Sequence, residues 1–150
     1  MDEFSMRPAD PGRVIAAALE WEGTPYHDQA SRKGVGCDCL GLARGIWREV
    51  AGREPTNLPR YTRDWGEAGK REIFAETARG IMIEIDPRDA EPGALIVFRM
   101  RAHAPAKHCG VLLGGGKFIH AYERAGVLIM QYDRAWQRRA AYAFLFPEAC

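Results

Sequence analysis

The sequence predicts an α+β domain in which N-terminal helices pack on a mainly antiparallel sheet of five or six strands. Three observations lead there. Up to residue 79 the periodic segments have apolar residues at helical spacing, whereas from residue 81 onward apolar residues form short runs and alternations. The connections between those later runs are too short for the crossovers that parallel pairing requires. A length of 150 residues, with 47% hydrophobic and 27% charged side chains, suits one core and a single domain over 1–150. The same balance excludes a disordered or collagen-like chain.

The first helix is expected from Pro11 to about Glu22, with Asp10 as its cap and Val14, Ile15, Ala17, Ala18 and Trp21 along one side. Gly23 and Pro25 stop it, and the aperiodic stretch 24–36 reads as a structured loop carrying Tyr26 and His27. A second helix starts at Asp38 or Cys39 and ends near Val50, before Gly52. Its buried face is Cys39, Leu42, Ala43, Ile46, Trp47 and Val50. Gly41 and Gly45 each cost a helix about 1 kcal/mol relative to alanine, which points to close backbone approach by a neighbour. Asp64 and Glu67 form an approximate capping box for a helix running to about Arg79. Strands are expected at 81–85, 94–100, 108–113, 117–122, 127–132 and 141–146.

Twenty-one basic against 20 acidic side chains leave a net charge of +1, which gives no footprint for a phosphate backbone. Nucleic acid is therefore not an expected partner. No stretch approaches the roughly 20 apolar residues of a membrane span. The acidic MDEFSMRPADPG segment has no apolar run of signal-peptide length, so synthesis in the cytoplasm without such a signal is expected. Four cysteines, at 37, 39, 109 and 150, are too few for a disulfide scaffold in a domain with its own core.

Cys39 opens a helix, where unpaired N–H groups and the dipole favour thiolate. Taken alone, such a cysteine is more often a small residue opening a packed face, so the histidines decide. If Leu113 pairs with Lys117 across Gly114, Gly115 and Gly116, then Gly110 faces His120 and His108 faces Tyr122. Both imidazoles then share a sheet face, and Cys39 is expected above them as nucleophile, with a base and a third group to orient that base. Cys37 and Cys150 read as bystanders, Cys109 as a core residue on the opposite strand face, and His27 and His103 as solvated. Tyr61 and Trp65 suit either a groove wall or packing, and Arg134, Arg138 and Arg139 an exposed short helix.

GTPY (23–26), GCDCLGL (36–42), PGALIVF (92–98), KHCGVLL (107–113) and KFIHA (117–121) follow one another in a way that resembles the NlpC/P60 family of papain-like cysteine peptidases. The run GTPYHDQASRKGVGCDCLGLARGIW and the closing 136–147 segment look like the branch found in phage and gene transfer agent tail clusters. The resemblance implies a papain-like fold with Cys39 as nucleophile, His108 as general base and His120 as the orienting residue. It implies Tyr26 near the substrate and oxyanion, and Asp38 near the free amine of the substrate peptide. Leu40 stands where the family's Asp-Cys-Ser motif has serine, a departure that bears on amine recognition. The implied activity is hydrolysis of an amide in the peptidoglycan stem peptide, commonly between D-γ-glutamate and the next diamino acid, without metal or organic cofactor. The implied partner is a tail tip, hub or baseplate protein of a phage-like particle, which would carry the domain to the wall in the virion.

Two other readings compete. A wall-binding or tail-structural domain would keep the fold without turnover. A zinc site would draw on Cys37, Cys39, His103, His108 and Cys109, although Cys-x-Cys lacks the usual spacer and adjacent His108 and Cys109 on a strand point to opposite faces.

Overall fold

The computed structural model describes residues 7–55 and 71–149. Helix α1 (Pro11–Leu19) is capped by the Asp10 carboxylate, which accepts from Arg13 N at 3.1 Å. It is shorter than its apolar pattern, because residues 20–24 continue in tight turns, with Trp21 N donating to Ala18 O and Thr24 N to Trp21 O. The stretch expected as a loop contains a two-residue antiparallel ladder, β1 (Ser31–Arg32) with β2 (Gly36–Cys37). Strands that short have no period to read.

Helix α2 (Cys39–Ala51) buries Leu42, Ala43, Ile46, Trp47 and Val50, and ends at Gly52 with φ 89°. The close approaches expected at its glycines are present. A Cβ on Gly41 would lie 1.8 Å from the Ala30 carbonyl oxygen, and one on Gly45 2.0 Å from a Trp21 ring carbon. Helix α3 is Ile73–Arg79, preceded by the non-helical Arg71 and Glu72. The expected capping box at Asp64 and Glu67, and with it Tyr61, Trp65 and Cys150, lies outside the described residues.

Six further strands follow: β3 (Ile83–Ile85), β4 (Leu95–Phe98), β5 (His108–Leu113), β6 (Lys117–Tyr122), β7 (Gly126–Gln131) and β8 (Ala140–Leu145). A short helix α4 (Arg134–Arg139) separates the last two. The strands form one antiparallel sheet in the order β3-β8-β4-β5-β6-β7. The last strand thus inserts between β3 and β4. This makes β4 central, and its four residues are all buried. Among the described residues, no helix is long and apolar enough to cross a membrane.

The sheet is covered on both faces. On one, Leu95, Val97, Cys109, Val111, Leu113, Ile119 and Ala121 meet the residues of α1, α2 and α3. On the other, Ile96, Phe98, Leu112, Phe118 and Ala143 gather around Trp136 of α4. Burying side chains of this size contributes about 1.5–3 kcal/mol each, so both layers hold the strands that carry the two histidines.

Candidate active site

Cys39 is placed by its neighbours on both sides. Cys37 is tied to the preceding loop by β1 and by a bridge to Tyr26, and its N–H donates to Pro25 O at 3.0 Å. Asp38 then acts as a clamp. One carboxylate oxygen accepts Gly41 N and the other Gln29 N, both at 2.7 Å. Gln29 sits at φ 62°, a left-handed conformation that costs a non-glycine residue of order 1 kcal/mol and that the Asp38 bond helps hold. Asp38 is only 3% exposed, whereas Tyr26 and Cys39 are half-buried.

The glycine turn has the expected register. Leu113 pairs with Lys117 and Val111 with Ile119, so residues 108, 110 and 112 share a face with 118, 120 and 122. His108 Nε2 and His120 Nδ1 lie 2.7 Å apart. Adjacent Cys109 points to the other face and is buried.

The expectation that Cys39 lies above the face shared by the imidazoles needs correction. Helix α2 packs on the opposite face, with Cys109, while His108 and His120 contact the aromatic side chains Phe98, Phe118 and Trp136. Cys39 meets His108 around the start of β5: its S–H points to the Lys107 carbonyl at 3.7 Å, and the Cys109 S–H donates to the Cys39 carbonyl at 3.3 Å. A residue at the first position of a strand is accessible from both faces, which permits this approach.

The electrostatics separate the three described cysteines. Hydrogen bonding from Cys109, then hydrogen bonding and charge from His108, hold the Cys39 thiol well below its ordinary range against the opposing effect of burial. Cys109, pressed against a neighbour that ionises first and buried as well, is held well above that range. Cys37 is pushed up to about 12, by burial and then by the charges of Asp38 and Cys39. Cys39 has both a helix start and an imidazole, and the other two have neither, so the thiolate belongs at Cys39.

His120 is 0% exposed, and burial, followed by the charge of His108, lowers its pKa to about 3. It is therefore neutral at every pH near neutrality. In the unfolded chain it takes a proton near its ordinary 6.5. Between about 3 and 6.5 the unfolded chain binds the additional proton, so this group makes stability rise with pH across that window. Going from pH 7 to pH 5 is expected to cost the wild type about 2 kcal/mol more than His120→Gln, read from urea unfolding of both proteins. Equal losses in the two would contradict a buried neutral imidazole.

His27 and His103 are exposed. Among the described residues no three His, Cys, Asp or Glu side chains are grouped as a metal ion would need. Three residues have contacts at the site that spacing along the chain does not reveal. Cys109 contacts the nucleophile candidate as well as the core, Trp136 roofs the imidazole pair at 5.1 Å from His120, and Met130 touches His120 directly. Strand parity across the β6–β7 turn was the one signal available for Met130.

A helix-start thiol, two imidazoles 2.7 Å apart, one of them fully buried, and a six-stranded antiparallel sheet flanked by helices together make an α+β domain. The NlpC/P60 family model matches residues 22–144, and the chain belongs to that family. It is 30% identical over 142 residues to the murein DD-endopeptidase MepS/murein LD-carboxypeptidase of Escherichia coli (strain K12), an alignment covering 92% of this chain and 65% of that protein. This chain thus spans just under two thirds of the length of that relative. The NlpC/p60 domain of the peptidoglycan hydrolase SagA has the same fold, with a TM-score of 0.61 at 22% identity over 90% of this chain and 97% of that one. An NLP/P60 family protein of Staphylococcus aureus, described as similar to lipoprotein, gives a TM-score of 0.60 at 25% identity, covering 97% of this chain and 44% of its own.

Proposed function

We propose that this protein is a thiol hydrolase that cleaves an amide bond in the stem peptide of peptidoglycan, with Cys39 as nucleophile, His108 as general base and acid, and His120 as the residue that orients His108. The observation that carries this reading is the placement of Cys39 at the start of α2, its sulfur 3.7 Å from the carbonyl of Lys107, which precedes His108, whose Nε2 lies 2.7 Å from His120; the lowered Cys39 thiol agrees with it. The names of relatives supply the substrate class: one is a murein endopeptidase and another a peptidoglycan hydrolase.

The Cys39 thiolate attacks the amide carbonyl while backbone N–H groups at the start of α2 and Tyr26 face the developing oxyanion. His108 gives a proton to the leaving amine, the C–N bond breaks, and an acyl-enzyme forms. His108 then takes a proton from water, whose oxygen attacks the thioester and returns the thiolate. The resemblance favours the bond between D-γ-glutamate and the diamino acid. The burial of Asp38 and its two amide bonds support a positioning role for this residue, and with Leu40 in place of serine they weaken selection for a free amine.

Placement on a phage-like tail is supported by the resemblance of the 23–47 and 136–147 segments to tail-associated peptidases. On this reading the protein acts in the virion, against the wall of the next cell. Digestion of purified muropeptides followed by mass spectrometry is expected to show two fragments separated at one stem-peptide amide. An unchanged digest would reject the hydrolase reading and favour the wall-binding one. Recovery of the protein with intact particles tests its location separately.

A further inference from the structure

Resting on that assignment of His108 and His120, we propose that Met130 is a positioning residue: its thioether fixes which nitrogen of His120 carries the proton, and through His120 which nitrogen of His108 is presented to Cys39.

The register brings the three side chains into one row. Phe118 pairs with Met130 and His120 with Leu128, so Met130 is the diagonal neighbour of His120 on the same face of the sheet. His108 on β5, His120 on β6 and Met130 on β7 therefore run across that face. Met130 Sδ lies 3.1 Å from His120 Nε2, and His120 Nδ1 lies 2.7 Å from His108 Nε2. Trp136, itself 5% exposed, lies over the row.

The chemistry of the sulfur makes this row directional. A thioether has no hydrogen to donate, so the Nε2···Sδ contact requires N–H on Nε2. A neutral imidazole has one N–H, which leaves the Nδ1 lone pair to accept. The 2.7 Å contact then requires His108 Nε2 to be the donor. In neutral His108 the lone pair is consequently on Nδ1, the nitrogen left for the thiol. The opposite tautomer would set the lone pair of His120 Nε2 against a sulfur that cannot donate, in a site closed to water. Burial keeps His120 neutral, so protonating both nitrogens is not an alternative. A methionine that merely filled the core would not bring its sulfur to within 3.1 Å of a ring nitrogen that has no other hydrogen-bond partner among the described residues.

The test uses Met130→Leu, which keeps the volume and removes the acceptor, and Met130→Gln, which restores an acceptor oxygen. Long-range ¹H–¹⁵N spectra of histidine-labelled wild type are expected to show His120 protonated at Nε2 and not at Nδ1. Met130→Gln should keep that pattern and Met130→Leu should lose it or show a mixture. In muropeptide turnover Met130→Leu is expected to lower kcat about tenfold with KM unchanged, and Met130→Gln to restore it to within about twofold, because a wrong tautomer can cost a triad up to about 10⁴-fold. A wild-type proton on Nδ1 overturns the proposal, whether or not the variants fold. So does a folded Met130→Leu protein with an unchanged spectrum and unchanged kcat. If the wild type cleaves no muropeptide, the function assigned above fails while the spectra still decide the role of Met130.

Discussion

Replacing Cys39 by alanine is expected to abolish muropeptide cleavage, with a fall in kcat of about 10⁴-fold or more, while the unfolding midpoint stays close to wild type. The two halves have separate causes. Removing the nucleophile leaves only binding and oxyanion donors to assist the reaction, whereas a half-buried thiol on the first turn of α2 contributes little to the core. The same thiol should be the first alkylated by iodoacetamide near neutral pH, ahead of Cys37 and Cys109, since both of those are buried and held high. Peptide mapping after brief treatment reads the order. Label appearing first at Cys37 would move the nucleophile to the other cysteine of the CDC pair, and retained cleavage by the Cys39→Ala protein would rule out thiol catalysis at this position.

Gly41→Ala is expected to be the most damaging small substitution near the site, costing about 3 kcal/mol. Its new methyl would lie 1.8 Å from the Ala30 carbonyl oxygen and 3.0 Å from an Asp38 carboxylate oxygen. Loop backbone on one side and the clamped Asp38 carboxylate on the other leave little room for the carbon. The loop must retreat, and with it go the Ser31 hydroxyl bond to the Gly41 carbonyl and the Asp38 bonds to Gln29 and Gly41. Those contacts hold the segment that leads from Tyr26 to Cys39, so turnover should fall along with stability. Gly114→Ala is the control: nothing lies within 4 Å of its added carbon, and the change should stay within about 0.5 kcal/mol. Urea unfolding of the two variants checks the contrast, and a Gly41→Ala protein as stable as Gly114→Ala would mean that the loop gives way freely.

Much of this site was legible because its determinants are local. The cap at Asp38, the stop at Gly52 and the buried spacing of α2 follow from neighbours within a few residues. The three-glycine turn sets the parity of β5 against β6, and parity alone puts His108 and His120 on one face. Close packing at Gly41 and Gly45 was also readable, since a helix keeps two unfavourable residues only where something crowds them.

Contacts between distant segments were decided only when the chain closed on itself. That β8 lies between β3 and β4 depends on sheet order, which alternation along a strand does not encode. Which face α2 covers, and hence that Cys39 meets His108 around the start of β5 and not from above, depends on how the apolar faces of helices and sheet were matched. The charge on the Cys39 thiol rests on Cys109 and His108, some seventy residues away in the chain, and the neutrality of His120 rests on burial beneath Trp136. Residue type and spacing determined which side chains were available for chemistry. Their protonation states were determined by burial and by partners brought from elsewhere in the chain, because ionisation responds to solvation and to charges a few ångströms away in space.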